Sequence, residues 1–394
     1  MKCKLVFITI HLVFIILFAQ YASAESVHNF ILDHKTIPSS IGSNMEFIED
    51  VEHKLSFEDI KLEKNWTPSP KIGITKGFTK SAYWLRFSVE NSLQDIFHWN
   101  LEFAYPLLDE IEFYKPNEDG SYHKRLLGDH QPFSVRDIHY RNVVIPISTN
   151  ANQTNTYYVR IITTSSMNAL LKAWPNNTFY EEVDSTKFIL GILYGVVLLA
   201  LFTALVNSFY LKDPMYLWLS LSVLGISLYL SGVKGITFQY FWPNSNWWSE
   251  INIPFFVNLG YVFILQYTRL FINLKDLAPR LDKLFVGFMG LGILGVIFSL
   301  LLDYGIMIRF CTISASLLSI LCISTGTYAW VKGNTSARLF VISWVIWFIG
   351  SLTFALSAAG LFPRTFFTVW SQEAGFFFFV ILMTIAQFDR FLQT

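Results

Sequence analysis

Cysteine is scarce in this chain, and its placement decides what it can do. There are three: Cys3 lies in the N-terminal apolar run, and Cys311 and Cys322 share one apolar segment. Those two would sit about three helical turns apart, too far for a bridge, so both read as packing residues. The region before residue 184 therefore has no disulfide framework and must fold on a hydrophobic core alone. Charge is scarce as well. Only 15% of residues are charged, and Lys plus Arg equals Asp plus Glu, whereas an ordinary soluble domain is about 25% charged. No basic surplus remains to neutralise phosphates, which excludes nucleic acid as a partner.

Catalytic patterns are missing too. The sequence has no P-loop, no HExxH and no nucleophile elbow, so an enzyme is not expected. Beyond the N-terminal run, every histidine (His28, His34, His53, His98, His123, His130 and His139) precedes residue 184. That excludes bis-His haem ligation within the apolar segments. His28, His34 and His53 have no carboxylates at ligand spacing and read as surface residues. No metal or cofactor is expected.

What the chain does have is long hydrophobic runs. Phe188–Leu211, Met215–Val233, Ile251–Thr268, Leu284–Leu302, Phe310–Val331 and Leu339–Phe362 carry no charge. Each meets or approaches the roughly 20 residues needed to cross about 30 Å of hydrocarbon. A seventh run ends at Phe388 and reaches spanning length from Val369, which takes in Glu373. Glu373 is expected to snorkel to the interface. Alternate loops hold Lys212; then Arg269, Lys275, Arg280 and Lys283; then Lys332 and Arg338; and finally Arg390. Retention of positive loops inside places the start of this block outside and its end in the cytoplasm.

The first 24 residues have a basic start, an apolar run Leu5–Phe18 and the small-residue site Ala22-Ser23-Ala24, the layout of a cleavable secretory signal. Residues 25–184 then form an exported domain. Short alternating runs dominate it: SAYWLRFSVEN, WNLEFAY, DEIEFYK, HKRLLG, RNVVIPI, TYYVRIIT and MNALLKAW. Turn clusters such as Pro116-Asn117-Glu118-Asp119-Gly120 separate them, which predicts an antiparallel sandwich. One helix is expected around Ser56–Leu62. No flexible linker separates this domain from the first span.

In SAYWLRFSVEN, alternation sets Tyr83, Leu85, Phe87 and Val89 on one face and Trp84, Arg86, Ser88 and Glu90 on the other. Two readings of the second face stand. An aromatic beside charged groups on a sheet can hold a sugar, the ring covering apolar faces and the charges meeting hydroxyls. Alternatively, Trp84 covers a second hydrophobic layer and Arg86 pairs with Glu102 or Glu110.

These stretches carry a resemblance. EFIEDVEHKLSFEDI, GFTKSAYWLRFSVEN with WNLEFAYPLLDEIEFY, VRDIHYRNVVIPI with TYYVRIITTSS, and the membrane stretch GILYGVVLLALFTALVNSFYLKDPMYLWLSLSVLGISLYLSGVKGITFQYFWP follow in order. Together they resemble the bacterial seven-transmembrane receptors with diverse intracellular signalling modules, the 7TMR-DISM family, with its second type of extracellular domain. Tyr83, Trp84, Leu85, Arg86 and Asn91 fall on the family's sheet motif and Arg141 on its later arginine. Gly191, Tyr210, Tyr216, Gly235 and Trp242 fall on its membrane pattern.

The resemblance implies a jelly-roll-like periplasmic domain that binds carbohydrate or a related small molecule, and an inner-membrane block of seven helices that relays occupancy inward. Candidate ligand residues are Trp84, Arg86, Glu90, Glu102 and Arg141. Receptors of this kind usually continue into a kinase, a GGDEF-type cyclase or a phosphatase, whereas this sequence stops at Thr394. Output is therefore expected through a separate cytoplasmic signalling protein, with membrane lipid as the other partner. The alternative is a membrane-tethered carbohydrate-binding or envelope scaffolding module with no signalling role.

Overall fold

Alternation shapes the first half of the molecule. A computed structural model describes residues 28–33 and 39–393; the expected secretory signal, His34 and Thr394 lie outside them. The described strands are β1 (Phe30–Leu32), β2 (Ser39–Ser40), β3 (Met45–Asp50), β4 (Thr67–Pro68), β5 (Ile74–Phe78), β6 (Ala82–Asn91), β7 (Phe97–Phe103), β8 (Glu110–Pro116), β9 (Tyr122–Leu127), β10 (Val143–Thr149), β11 (Thr154–Ile162), β12 (Ser166–Ala169) and β13 (Leu171–Pro175). The larger sheet runs β4-β3-β6-β11-β8-β9, with β1 paired parallel to the far half of β6. The smaller runs β10-β7-β13-β2, and β12 pairs with β5.

The two main sheets share one core. Leu85, Phe87, Phe113 and Tyr157 from the larger meet Trp99, Leu101, Phe103 and Ile145 from the smaller. Burial of each such side chain stabilises the fold by about 1.5–3 kcal/mol, so this core replaces the missing disulfides. All seven runs read as strands from the sequence are strands, the last one split between β12 and β13. The expected helix is α1 (Phe57–Leu62). Ser56 caps it reciprocally: its Oγ accepts from Asp59 N, and the Asp59 carboxylate accepts from Ser56 N at 2.9 Å.

Seven helices follow, each long and apolar enough to cross a membrane: α2 (Asn176–Leu211), α3 (Pro214–Val233), α4 (Asn246–Ile272), α5 (Pro279–Ser299), α6 (Tyr304–Val331), α7 (Ala337–Ala358) and α8 (Phe366–Gln393). They match the seven expected spans in order. Close approach of helices depends on glycine at two crossings. A methyl on Gly225 of α3 would lie 3.1 Å from Gly260 of α4, and one on Gly350 of α7 would run into the Ser371 carbonyl of α8. Small residues let helix backbones meet where lipid supplies no hydrophobic drive.

Helix α2 begins directly after β13. Its 36 residues would extend roughly 54 Å at 1.5 Å per residue, well beyond a bilayer core of about 30 Å. The surplus lies under the smaller sheet, where Phe179 and Val183 pack with Tyr140, Val144 and Trp174. Strand and span are thus one continuous, packed element.

Candidate functional site

The outer face of the larger sheet holds the first feature. Arg86, on β6, lies opposite Glu46, on β3, in the antiparallel register. Its guanidinium donates from Nε and Nη2 to Glu46 Oε2, at 3.0 and 2.6 Å, and stacks 4.4 Å from the Trp66 ring centre. Ser88 and Thr156 share a hydrogen bond beside it. Arg86, Glu46, Ser88 and Thr156, with Asn44, Tyr158 and His28, line a cleft of about 430 Å³. Glu90 continues the same face and accepts from Asn29 Nδ2 at 3.1 Å. The expected pairing of Arg86 with Glu102 or Glu110 does not form, because β3, not β7 or β8, lies beside that half of β6.

Trp84 does not present its ring to solvent. It is 1% exposed and lies in a second hydrophobic layer with Ile60, Trp66, Tyr114 and Tyr158. Helix α1 covers it: Phe57 stacks on Tyr114 at 4.1 Å and flanks Trp84 at 6.4 Å. Of the two readings of this face, the second hydrophobic layer is the one found for Trp84, and the exposed part of the face begins at Arg86.

Glu102 and Arg141 lie elsewhere. Both faces of β7 are buried at this point, because the outer face of the smaller sheet is occupied by α2 and the loop before β10. Glu102, 5% exposed, accepts from Trp174 Nε1 at 2.6 Å and from Asn142 Nδ2 at 2.5 Å. Arg141 donates to the Lys234 carbonyl at 3.5 Å. The five sequence-selected residues thus divide into Arg86 in the cleft, Glu90 further along the same face, Trp84 in the covered layer of that face, and Glu102 and Arg141 near the helices.

That second group belongs to a junction. The β domain sits on the bundle end formed by the α3–α4, α5–α6 and α7–α8 connections. Phe133 N donates to Pro243 O at 3.0 Å, Gln239 Nε2 donates to His139 O at 3.1 Å, and Ser166 Oγ donates to Ala358 O. Gly235, with φ at +73°, takes a left-handed turn whose Cβ position is filled by Pro106; no other residue fits there.

At its centre Lys234 meets Glu373. Nζ lies 3.2 Å from the carboxylate, the two side chains are 5% and 6% exposed, and Nζ also donates to Val369 O at 2.8 Å. Its ammonium rests 4.5 Å from the Trp370 ring centre. Burial pushes the lysine down to about 8, while Glu373 pulls the other way. Glu373 therefore does not snorkel; it is held in a buried ion pair. A carboxylate inside a spanning run was the sequence signal, but its partner is invisible without the fold.

Elsewhere in the junction, His130 pairs with Glu250 on α4, Nε2 to carboxylate 2.5 Å, and lies 3.6 Å from Asp109. Glu250 holds the imidazole up to about 9. Burial, with Asp109's charge, lifts the Asp129 carboxyl to about 7. Ligand atoms of Asp109, Asp129 and His130 lie within 4.8 Å of one another, close enough to share a cation. However, Asp109 already accepts from Thr163 Oγ1, Thr164 N and Thr164 Oγ1 at 2.7–2.8 Å. The cluster is chemically an acid–base clasp between the β domain and α4.

A family model described as 7TM diverse intracellular signalling matches residues 186–390. A second, 7TMR-DISM extracellular 2, matches residues 42–175. The chain belongs to the 7TMR-DISM family. Membership makes it a multi-pass membrane sensory receptor, from a family that signals rather than catalyses. A search of curated proteins found no match. In this 7TMR-DISM chain the two matched regions meet at Pro175–Thr186, inside the packed start of α2.

The far end of the bundle is basic. Arg269 bridges α4 to α5 through Asp282 at 2.7 and 2.9 Å. Arg390 donates to Leu270 O at 3.1 Å and so ties α8 to α4. Lys275, Arg280 and Lys283 remain exposed.

Proposed function

We propose that the β domain lies in the periplasm of a bacterial inner-membrane receptor and takes a small hydroxylated ligand, carbohydrate or similar, in the Arg86 cleft. Occupancy then passes through the junction to the cytoplasmic end, where a separate signalling protein docks on Lys275, Arg280 and Lys283. The observation that carries this reading is the rigid seat. A sensor domain is joined to seven helices by a continuous strand–helix element and the His130–Glu250 pair, with no linker to absorb a change. The cleft supplies suitable chemistry: a guanidinium and a carboxylate for hydroxyls, flanked by the Trp66 ring.

The reading is tested by screening mono- and oligosaccharides for thermal shifts of the full chain in phosphatidylcholine nanodiscs. A sugar whose shift is lost in both Arg86→Ala and Glu46→Ala supports the cleft. A shift that survives both moves the ligand elsewhere. If photocrosslinking from Leu277 captures only lipid with and without that sugar, the tether reading replaces the receptor relay.

A further inference from the structure

Four side chains with metal-binding atoms converge where the β8–β9 hairpin meets α4. Pairing in the hairpin continues past its strand ends: Asp129 N donates to Leu108 O at 2.9 Å and His130 N to Asp109 O at 3.1 Å. Asp109, Asp129 and His130 therefore stand side by side, with a ligand atom of each within 4.8 Å of the other two. Asn246, at the start of α4, donates to the His130 carbonyl. One turn further on, Glu250 reaches the same imidazole. Carboxylate oxygen and imidazole nitrogen are donor types that zinc takes.

Two of these groups lack partners. No hydrogen bond or ion pair reaches the Asp129 carboxylate among the described residues, and its Oδ1 is closed off from water. His130 Nε2 is closed off as well, and Glu250 Oε1, 2.5 Å away, lies outside hydrogen-bond geometry. A metal ion needs less room than a water molecule, because its bonds here would be only about 2.0–2.2 Å long. Atoms that no water touches can therefore share one. At those lengths tetrahedral ligand atoms stand about 3.3–3.6 Å apart, and His130 Nε2 lies 3.6 Å from Asp109 Oδ2. Asp109 keeps capacity for the bond: a carboxylate offers about four acceptor sites, and Thr163 and Thr164 fill three. Such hydrogen bonds orient ligating carboxylates. Glu250 has to back away by about 1 Å to reach that spacing, which its 42% exposed side chain permits.

We propose that Asp109, Asp129, His130 and Glu250 hold one zinc-class divalent cation, which clamps the β domain to α4. Without the ion the same groups form only an acid–base clasp, so the cation sets how firmly the domain is seated on the bundle. The site is distinct from the Arg86 cleft and stands or falls without it.

Zinc chloride is the probe, titrated by calorimetry at neutral pH into the chelator-treated full chain in phosphatidylcholine nanodiscs. One equivalent should bind and raise the melting temperature. Zinc should bind at least about tenfold tighter than calcium, which prefers six to eight oxygen ligands. Asp129→Asn and His130→Gln should each weaken zinc binding by at least about tenfold, no less than the loss of an outer partner costs. Asp129→Asn breaks no hydrogen bond among the described residues, so it carries the test should His130→Gln misfold. Arg86→Ala, and His123→Ala at an exposed position of β9, should leave binding unchanged. No binding, binding that persists in Asp129→Asn, binding that is lost in His123→Ala, or equal affinity for calcium would overturn the proposal.

Discussion

Two ion pairs with the same charges sit at opposite places in this molecule, and they do different work. Arg86–Glu46 lies at the cleft, with side chains 27% and 21% exposed. Lys234–Glu373 lies under the β domain at 5% and 6%. Water screens the first, so its net contribution is about 0–1 kcal/mol and its groups can exchange partners with an incoming hydroxyl at little cost. The second has no water to fall back on. Removing either partner strands a buried charge, at a cost of about 3–5 kcal/mol. Exposure therefore suits one pair to recognition and burial suits the other to fixing α3 against α8 beneath the β domain.

The largest expected effect comes from breaking the buried pair. Glu373→Leu should lower stability by about 3–5 kcal/mol, seen as an earlier melt and faster proteolysis of the 128–142 loop. Lys234→Met with Glu373→Leu should recover most of that loss, since two apolar groups leave no stranded charge. Trp84→Ala sharpens the contrast from the cleft side. Because Trp84 supports the sheet from a covered layer, its truncation should cost about 3–5 kcal/mol and disturb the cleft only through the fold. A stable domain with selectively lost binding would return Trp84 to the ligand face.

A smaller effect is expected from pH. Below about 6.5, the ordinary value of a histidine, His130 contributes its full stabilisation to the seat; that is lost as pH rises through its folded value of about 9. Asp129, raised from 3.8 to about 7, acts in the same direction but at lower pH, its share being lost as pH rises between those two values. Protease protection of the junction should fall as pH rises from 6.5 to 9, and Glu250→Gln should flatten the His130 part of the profile. The smallest effect is at the cleft itself. Arg86→Ala should shift stability by no more than about 1 kcal/mol, with saccharide binding as its readout.

Much of the architecture was legible in the sequence. Seven uncharged or nearly uncharged runs, alternating strands and the Ser56 cap each follow from a local pattern with one physical solution. What was not legible depended on distant partners. Arg86 found Glu46 because β3 lies beside β6, a register that composition does not encode. Trp84 was covered because six residues of α1 fold back over it. Glu373 was visible as an oddity, yet its partner Lys234 looked like one more loop charge. Strands β1, β2 and β4 are two or three residues long, too short for alternation to register.

The central claim is that the buried pair locks α3 to α8 at the end of the bundle on which the β domain sits, and a double-mutant cycle on Lys234 and Glu373 tests it most directly. Melting of the single and double variants in nanodiscs should give a coupling above about 4 kcal/mol, because each single loss is large and the double variant recovers most of it, against less than about 1 kcal/mol for the same cycle on Arg86 and Glu46. Additive losses at Lys234 and Glu373, or equal coupling at the two pairs, would contradict the account.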